Sequence, residues 1–334
     1  MVEIAIAAQS ASRHAFNRRQ FDQRKRIRLA AVVPDKIVAG RNVKMTDFHR
    51  HNDIIGVESM KADGIGPGQI IRRRADGNLE YQHDELTIEE PLEIRIGKKI
   101  IATTMRTPGH DEELAAGFLL SEGIVRDRDQ ITKFSRPDAA RNRENIVIVD
   151  FAEGVTVKLN AAQRFGTISS SCGLCGKESI DAIRQNFAPI SSTALRIEIR
   201  TLLSLPQLLH EHQSDFARTG GIHAAGIFDS TGKPLIVRED IGRHNAVDKT
   251  IGRAFIDEQL PLDRYILLVS GRASFEIMQK ALAAGIPMVA SVSAPSSLAM
   301  EFARENNQTL IGFLRPPSFN IYSHVERVIL EQNL

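Results

Sequence analysis

Only two cysteines occur in the 334 residues, Cys172 and Cys175, and they lie three positions apart in Thr167–Gly176, TISSSCGLCG. A glycine follows each, three serines lead in, and a helical pattern, KESIDAIRQNF, comes next. The thiolate is the reactive form of cysteine, and a thiol just before a helix N-terminus has its pKa lowered by free N–H groups and the helix dipole. Flanking glycines keep the backbone pliable and the sulfurs open to a second protein. Three chemistries use such a pair: a sulfur carrier that holds a persulfide, a dithiol redox couple, or half of a metal site. A metal site needs two further ligands, and the chain has no second CxxC and no HxxxH. A thioredoxin-like pair is expected just after the first strand of a compact fold, whereas this one follows a long strand-rich lead-in. Buried structural cysteines fit poorly with so many Ser and Gly neighbours.

A second set of candidates follows the strands of the C-terminal region. Ser270–Ser274 (SGRAS), Ser293–Ser297 (SAPSS) and Phe313–Ser318 (FLRPPS) each come after an apolar run. In parallel α/β sheets, ligands collect where strand C-termini meet helix N-termini. Small hydroxyl residues and free N–H groups there suit a phosphate, and Arg272 and Arg315 supply charge for an anion. The candidates are Ser270, Gly271, Arg272, Ser274, Ser293 and Ser296, with Phe313, Leu314, Arg315, Pro316, Pro317 and Ser318. Any one loop alone reads as a helix N-cap; three at one sheet edge favour a ligand. Neither a Walker A motif nor GxGxxG is present. His223 lies in an apolar strand, where a hydrogen-bonded core histidine is as good a reading as a ligand-facing one. The REDIGRH run, Arg238–His244, packs ionisable groups ahead of a helix and could be a salt-bridged turn or part of a site. The Asp111-Glu112-Glu113 run reads as the acidic first turn of a helix.

The elements that must position these residues form two groups. LTIEEPLEIRIG alternates apolar and polar as a strand, KKIIATTMRTP reads as its hairpin partner, and DEELAAGFLLSEG as a helix presenting Leu114, Phe118 and Leu119 on one face. Residues 145–159 predict another hairpin turned at Glu153–Gly154. This gives a small α+β domain over 80–165. After the Cys loop come a helix at 177–187, a helical stretch ending at Gly220–Gly221, and paired strands at Ile222–Asp229 and Pro234–Glu239. Helices and strands then alternate, which predicts a largely parallel sheet covered on both faces within a second domain, 166–334.

Residues 1–79 read as a basic leader and linker. Residues 1–44 hold ten Lys/Arg against Glu3, Asp22 and Asp35, while the whole chain has a net charge of only +2. No nucleic-acid-binding motif accompanies that charge, so a disordered leader is expected rather than a nucleic-acid arm. No apolar run reaches membrane-spanning length and no cleavable signal is evident. Two cysteines so close cannot staple a chain of this size, which points to a reducing cytoplasm.

The runs TPGHDEELAAGFLLSEGI, SSCGLCG, TGGIHAAGIFD, REDIGRHNAVDKTIG, SGRASFEIMQKALAAGIP and TLIGFLR, in this order, resemble the FdhD family of formate dehydrogenase accessory sulfurtransferases over about residues 80–325. The resemblance implies a cytoplasmic sulfur carrier, a transferase of molybdenum cofactor biosynthesis. It takes sulfane sulfur from a cysteine desulfurase and passes it to the molybdenum (or tungsten) bis(guanine dinucleotide) cofactor of formate dehydrogenase. It implies a cytidine deaminase-like α/β/α domain after the smaller α+β domain, and a homodimer. No permanently bound cofactor, metal or nucleic acid is implied, and the guanine dinucleotide cofactor is a transient ligand. Cys172 matches the persulfide-bearing cysteine, Cys175 the auxiliary one, and Phe313–Ser318 the cofactor-binding segment. His223 and His244 are weaker cofactor-facing candidates. FLRPPS departs from a Gly-containing ending such as PGR, which bears on the contacts of Pro317 and Ser318. Two other functions compete: a cofactor-binding chaperone without thiol chemistry, and a dithiol oxidoreductase.

Overall fold

The computed structural model describes residues 64–138, 142–155, 187–191 and 194–330. The Cys172/Cys175 loop, the leader up to residue 63, the boundary expected at residue 166 and all but the last residue of the 177–187 helix lie outside the described residues.

Strands β1 (Ile65–Arg73) and β2 (Leu79–Thr87) pair antiparallel from Ile65↔Thr87 to Arg73↔Leu79. The sequence predicts a linker over most of this stretch, and the structure corrects it. Glycines obscured the strand pattern: a Cβ on Gly68 would lie 2.8 Å from Leu86 Cδ1, so Gly68 makes room for the cross-strand leucine.

β3 (Glu90–Ile96) and β4 (Lys99–Arg106) form the expected hairpin. Helix α1 (Asp111–Ser121) follows, then β5 (Ile131–Ser135) and β6 (Ile146–Phe151), in the order β4-β3-β6-β5. The chain does turn after β6, where Val155 N–H donates to Ala152 C=O. The partners seen for β6, however, are β3 in parallel and β5 in antiparallel. Its apolar IVIV run suits an interior strand paired on both sides. Ten of the eleven α1 residues are buried, so this helix has no solvent face, unlike the one-faced helix its pattern predicts.

β7 (Ile197–Glu198) leads into α2 (Ile199–Glu211), and α3 (Ser214–Thr219) follows as a separate helix. The sequence predicts one continuous helix here. The break comes because the Glu239 carboxylate accepts hydrogen bonds from Asp215 and Phe216 N–H at 2.9 Å each, anchoring a second N-terminus.

The main sheet has the order β13-β12-β11-β10-β8-β9. Its strands are β8 (His223–Phe228), β9 (Pro234–Asp240), β10 (Ile266–Val269), β11 (Met288–Ser291), β12 (Thr309–Arg315) and β13 (Ser318–Ser323). The only parallel pairings in this sheet are β10–β11 and β11–β12. β8–β9 and β12–β13 are antiparallel, as are β10 and β8, so the sheet is mixed rather than largely parallel. Short turns at Asp229–Lys233 and Pro316–Pro317 leave no length for a crossover. α5 (Phe275–Ala283) and α6 (Ser297–Glu305) supply crossovers for the parallel trio, and α4 (Arg243–Ile256) links β9 to β10. β14 (Val328–Ile329) pairs with β7.

Both sheet faces are covered, as expected. Leu267 and Val269 of β10 join a core with α1, α4, α5, α6 and the smaller sheet, while Ile266 and Leu268 join one with α2. Where α1 crosses α4 the backbones nearly touch. A Cβ on Gly117 would lie 1.9 Å from the Asp248 carbonyl oxygen, and one on Gly252 1.8 Å from that of Glu113. Only glycine fits at either position.

Candidate functional site

The parallel trio places the three predicted loops side by side. Ser296 N–H donates to Ala273 C=O at 3.0 Å, tying the first loop to the second. Phe313 N–H donates to Ser293 C=O at 2.9 Å, tying the second to the third. Ser291 Oγ lies 2.7 Å from Gly271 O and 2.9 Å from Ser293 O beneath them. Arg315 Nε donates to Val292 C=O at 3.0 Å and keeps its exposed guanidinium over the second loop.

Individual residues divide between supporting the fold and facing outward. Ser270 Oγ accepts from Ala224 N–H at 2.9 Å and splices the first loop to β8. Ser296 is an ordinary N-cap, accepting from Ala299 N–H at 3.2 Å. Ser274 occupies the equivalent place before α5 without making that bond; its hydroxyl lies 3.2 Å from His244 Nε2. Leu314 is fully buried in the α2-side core, so its side chain is a packing residue. Phe313 is 43% exposed and adopts a left-handed backbone (φ 52), rare for an aromatic residue. Arg272, Pro316, Pro317 and Ser318 are exposed.

The REDIGRH segment meets the same edge, and its charges separate by role. Arg238 donates two hydrogen bonds to the Glu113 carboxylate, Nε to Oε2 at 2.6 Å and Nη2 to Oε1 at 2.9 Å, and Glu239 holds α3. Asp240 is sealed inside, paired with Lys249 at 2.7 Å and accepting from Thr107 and Gly242 N–H. Arg243 and His244, at the start of α4, turn toward the loops. A Cβ on Gly271 would sit 3.4 Å from Arg243 Cβ and Cδ, and 3.5 Å from His223 Nδ1. Burial, then the Arg243 cation, push the His223 pKa down against the pull of Asp240. Burial, then Lys280, Arg243 and His223, lower His244 to about 3. His244 is therefore neutral at physiological pH. Its Nε2 lies 3.0 Å from Glu276 Oε2, and this contact is a hydrogen bond from a neutral ring rather than an ion pair.

Glu276 is a site residue that the sequence reading missed; its only signal is a carboxylate two residues after a loop serine. The acidic first turn of α1 also does more than flatter a helix dipole. Asp111 is buried against Arg106 at 2.8 Å and Arg136 at 2.9 Å. Among the described residues, no His/Cys/Asp/Glu group could hold a metal ion, and no helix is long and apolar enough to cross a membrane. Cys172 and Cys175 lie outside those residues.

This architecture and these motifs coincide with a known family: residues 87–329 match the FdhD/NarQ family model. The chain belongs to the FdhD/NarQ family. FdhD relatives match it at nearly their full length. It is 49% identical over 268 residues to the sulfur carrier protein FdhD of Streptomyces coelicolor, covering 78% of this chain and 95% of that one. The protein of the same name from Thermoplasma volcanium is 45% identical over 275 residues, covering 80% and 98%. In three dimensions the chain is similar to a crystal structure from Desulfotalea psychrophila, of a protein assigned as a formate dehydrogenase accessory protein. That match has a TM-score of 0.64 and 22% identity, over 80% of this chain and all of the other. At that identity the likeness speaks for a shared fold. The FdhD motifs quoted from the sequence all fall inside or beside the matched span, whereas β1 and most of β2 precede it.

Proposed function

We propose that this chain is a sulfur carrier that serves formate dehydrogenase maturation. The observation that carries the reading is its similarity, over nearly their full length and 78% of its own in one case, to proteins named sulfur carrier protein FdhD, at 49% identity in that case. The chemistry follows from the thiols. Cys172 thiolate attacks the terminal sulfur of a persulfide on a cysteine desulfurase; the donor's S–S bond breaks and its cysteine leaves as thiolate. Release balances if Cys175 thiolate then attacks the inner sulfur of the Cys172 persulfide. A Cys172–Cys175 disulfide forms and hydrosulfide departs toward the molybdenum centre of the bis(guanine dinucleotide) cofactor. An external thiol reductant restores the dithiol.

The three laced loops are the place we assign to the guanine dinucleotide. They offer backbone N–H groups, the Arg315 and Arg243 cations and the exposed Phe313 ring for a base. The same reading takes the main sheet as the cytidine deaminase-like domain. It also makes the protein a cytoplasmic homodimer whose partners are a cysteine desulfurase and formate dehydrogenase.

Mass spectrometry after incubation with a desulfurase and cysteine tests the carrier step. Wild type should gain the mass of one sulfur atom, and Cys172→Ala should not. If the added sulfur survives Cys172→Ala and vanishes in Cys175→Ala, the two roles are exchanged. If Cys172→Ala still fully activates formate dehydrogenase, the protein is a cofactor chaperone without thiol chemistry.

A further inference from the structure

His244 stands where α4 begins, and two contacts define its state. Ser274 Oγ is 3.2 Å and Glu276 Oε2 3.0 Å from the same ring nitrogen, Nε2. A carboxylate only accepts hydrogen bonds, so Nε2 carries the proton and Nδ1 is left with a lone pair. Glu276 is itself held. Lys280 lies one turn further along α5, buried and donating to both Asp248 carboxylate oxygens at 2.8 Å, and its charge acts on Glu276. Ser121 Oγ, 3.0 Å from Asp248 Oδ1, closes the chain from α1. The line Ser121–Asp248–Lys280–Glu276–His244 thus runs from the packed α1/α4 crossing to the loop edge.

We propose that Glu276 is a positioning residue that holds His244, next to Arg243 at the start of α4, in the Nε2–H form and leaves Nδ1 as a hydrogen-bond acceptor. Paired with a cation, such an acceptor selects a ligand that carries both an anionic group and an N–H or O–H donor, as a guanine nucleotide does. The inference rests on the nucleotide reading of the loops. The low pKa of His244, about 3, agrees with a ring that stays neutral there.

The test combines nitrogen-15 histidine spectra, which read tautomers directly, with GDP titration. Wild type should show His244, assigned by its loss in His244→Gln, as one Nε2–H form from about pH 5 to 8. Glu276→Leu should mix the tautomers and weaken GDP binding roughly three- to tenfold, with the thermal midpoint little changed. Glu276→Gln, whose amide carbonyl still accepts, should restore most of the Nε2–H form. If Glu276→Leu does not fold, Glu276→Ala serves the same comparison. Unchanged His244 spectra in the Leu or Ala variant overturn the proposal, and so does unchanged GDP affinity with altered spectra. Wild type that binds no GDP overturns the nucleotide reading instead; the spectra still decide whether Glu276 positions His244.

Discussion

Lys249 of α4 reaches Asp240 at the end of β9, with 2.7 Å between Nζ and Oδ2 and both side chains sealed from solvent. The same ammonium donates to Thr107 C=O at 2.8 Å, just before α1. Asp240 Oδ1 meanwhile accepts from Gly242 N–H and from Asn245 Nδ2 at 3.0 Å. One ion pair therefore joins the smaller sheet, the main sheet and the start of the helix that carries His244. Removing one member leaves an uncompensated buried charge. Lys249→Met should cost about 3–5 kcal/mol in urea unfolding, and Lys249→Met with Asp240→Asn less than the sum of the two single changes.

The α1/α4 crossing should be as intolerant. An alanine at Gly117 or Gly252 puts a methyl carbon within 2 Å of backbone, which no rotamer change relieves. Gly252→Ala should lower stability by more than about 2 kcal/mol, or prevent folding, as read by thermal denaturation. Stability equal to wild type would mean that the helices can separate at no cost.

Glu113 sets an acid limit. Burial opposes its ionisation, but the hydrogen bond from Arg238 and a further one from His110 outweigh burial and bring its pKa from 4.5 to about 2. A depressed carboxylate pKa contributes stability above the unfolded value and loses it as pH falls through the folded value. Wild type should exceed Glu113→Gln by about 2 kcal/mol at neutral pH, and the gap should close between roughly pH 4.5 and 2. A gap independent of pH would assign the effect to packing.

Adjacent residues in the third loop should separate structure from binding. Leu314→Ala should destabilise by about 2–5 kcal/mol, since its side chain is wholly enclosed. Phe313→Ala should leave stability within about 1 kcal/mol while weakening GDP binding, measured by calorimetry. If Phe313→Ala binds GDP as wild type does, the base is held elsewhere.

The β1–β2 hairpin should be the least protected sheet. Among the described residues it pairs with no third strand, and it is rooted on α3 by Arg218–Glu85 and Thr87–Thr219. Its amides should exchange with solvent orders of magnitude faster than those of β10 and β11, which are buried along their whole length.

Local information in the sequence was enough for much of this protein. Periodicity placed α1, α4, α5, α6 and strands β3, β4 and β8–β12 along the chain, although α1 is enclosed all round rather than on the one face its spacing declares. The loop serines and arginines were legible because they follow apolar runs. The ordered motifs pointed to the FdhD family, in which the chain indeed falls.

Tertiary structure decided the remainder. The β8–β9 pairing was legible from its short turn, but that β8 lies antiparallel beside β10, and that a further strand, β13, returns along β12, depends on which strand edge remains open. The α2/α3 break depends on Glu239, a carboxylate more than twenty residues downstream. Ser274 and Ser296 look alike in sequence, yet one caps a helix and the other faces His244. Glu276 reads as a helix first-turn acid until the fold brings α4 beside it; its partner is 32 residues away, and only packing makes them neighbours.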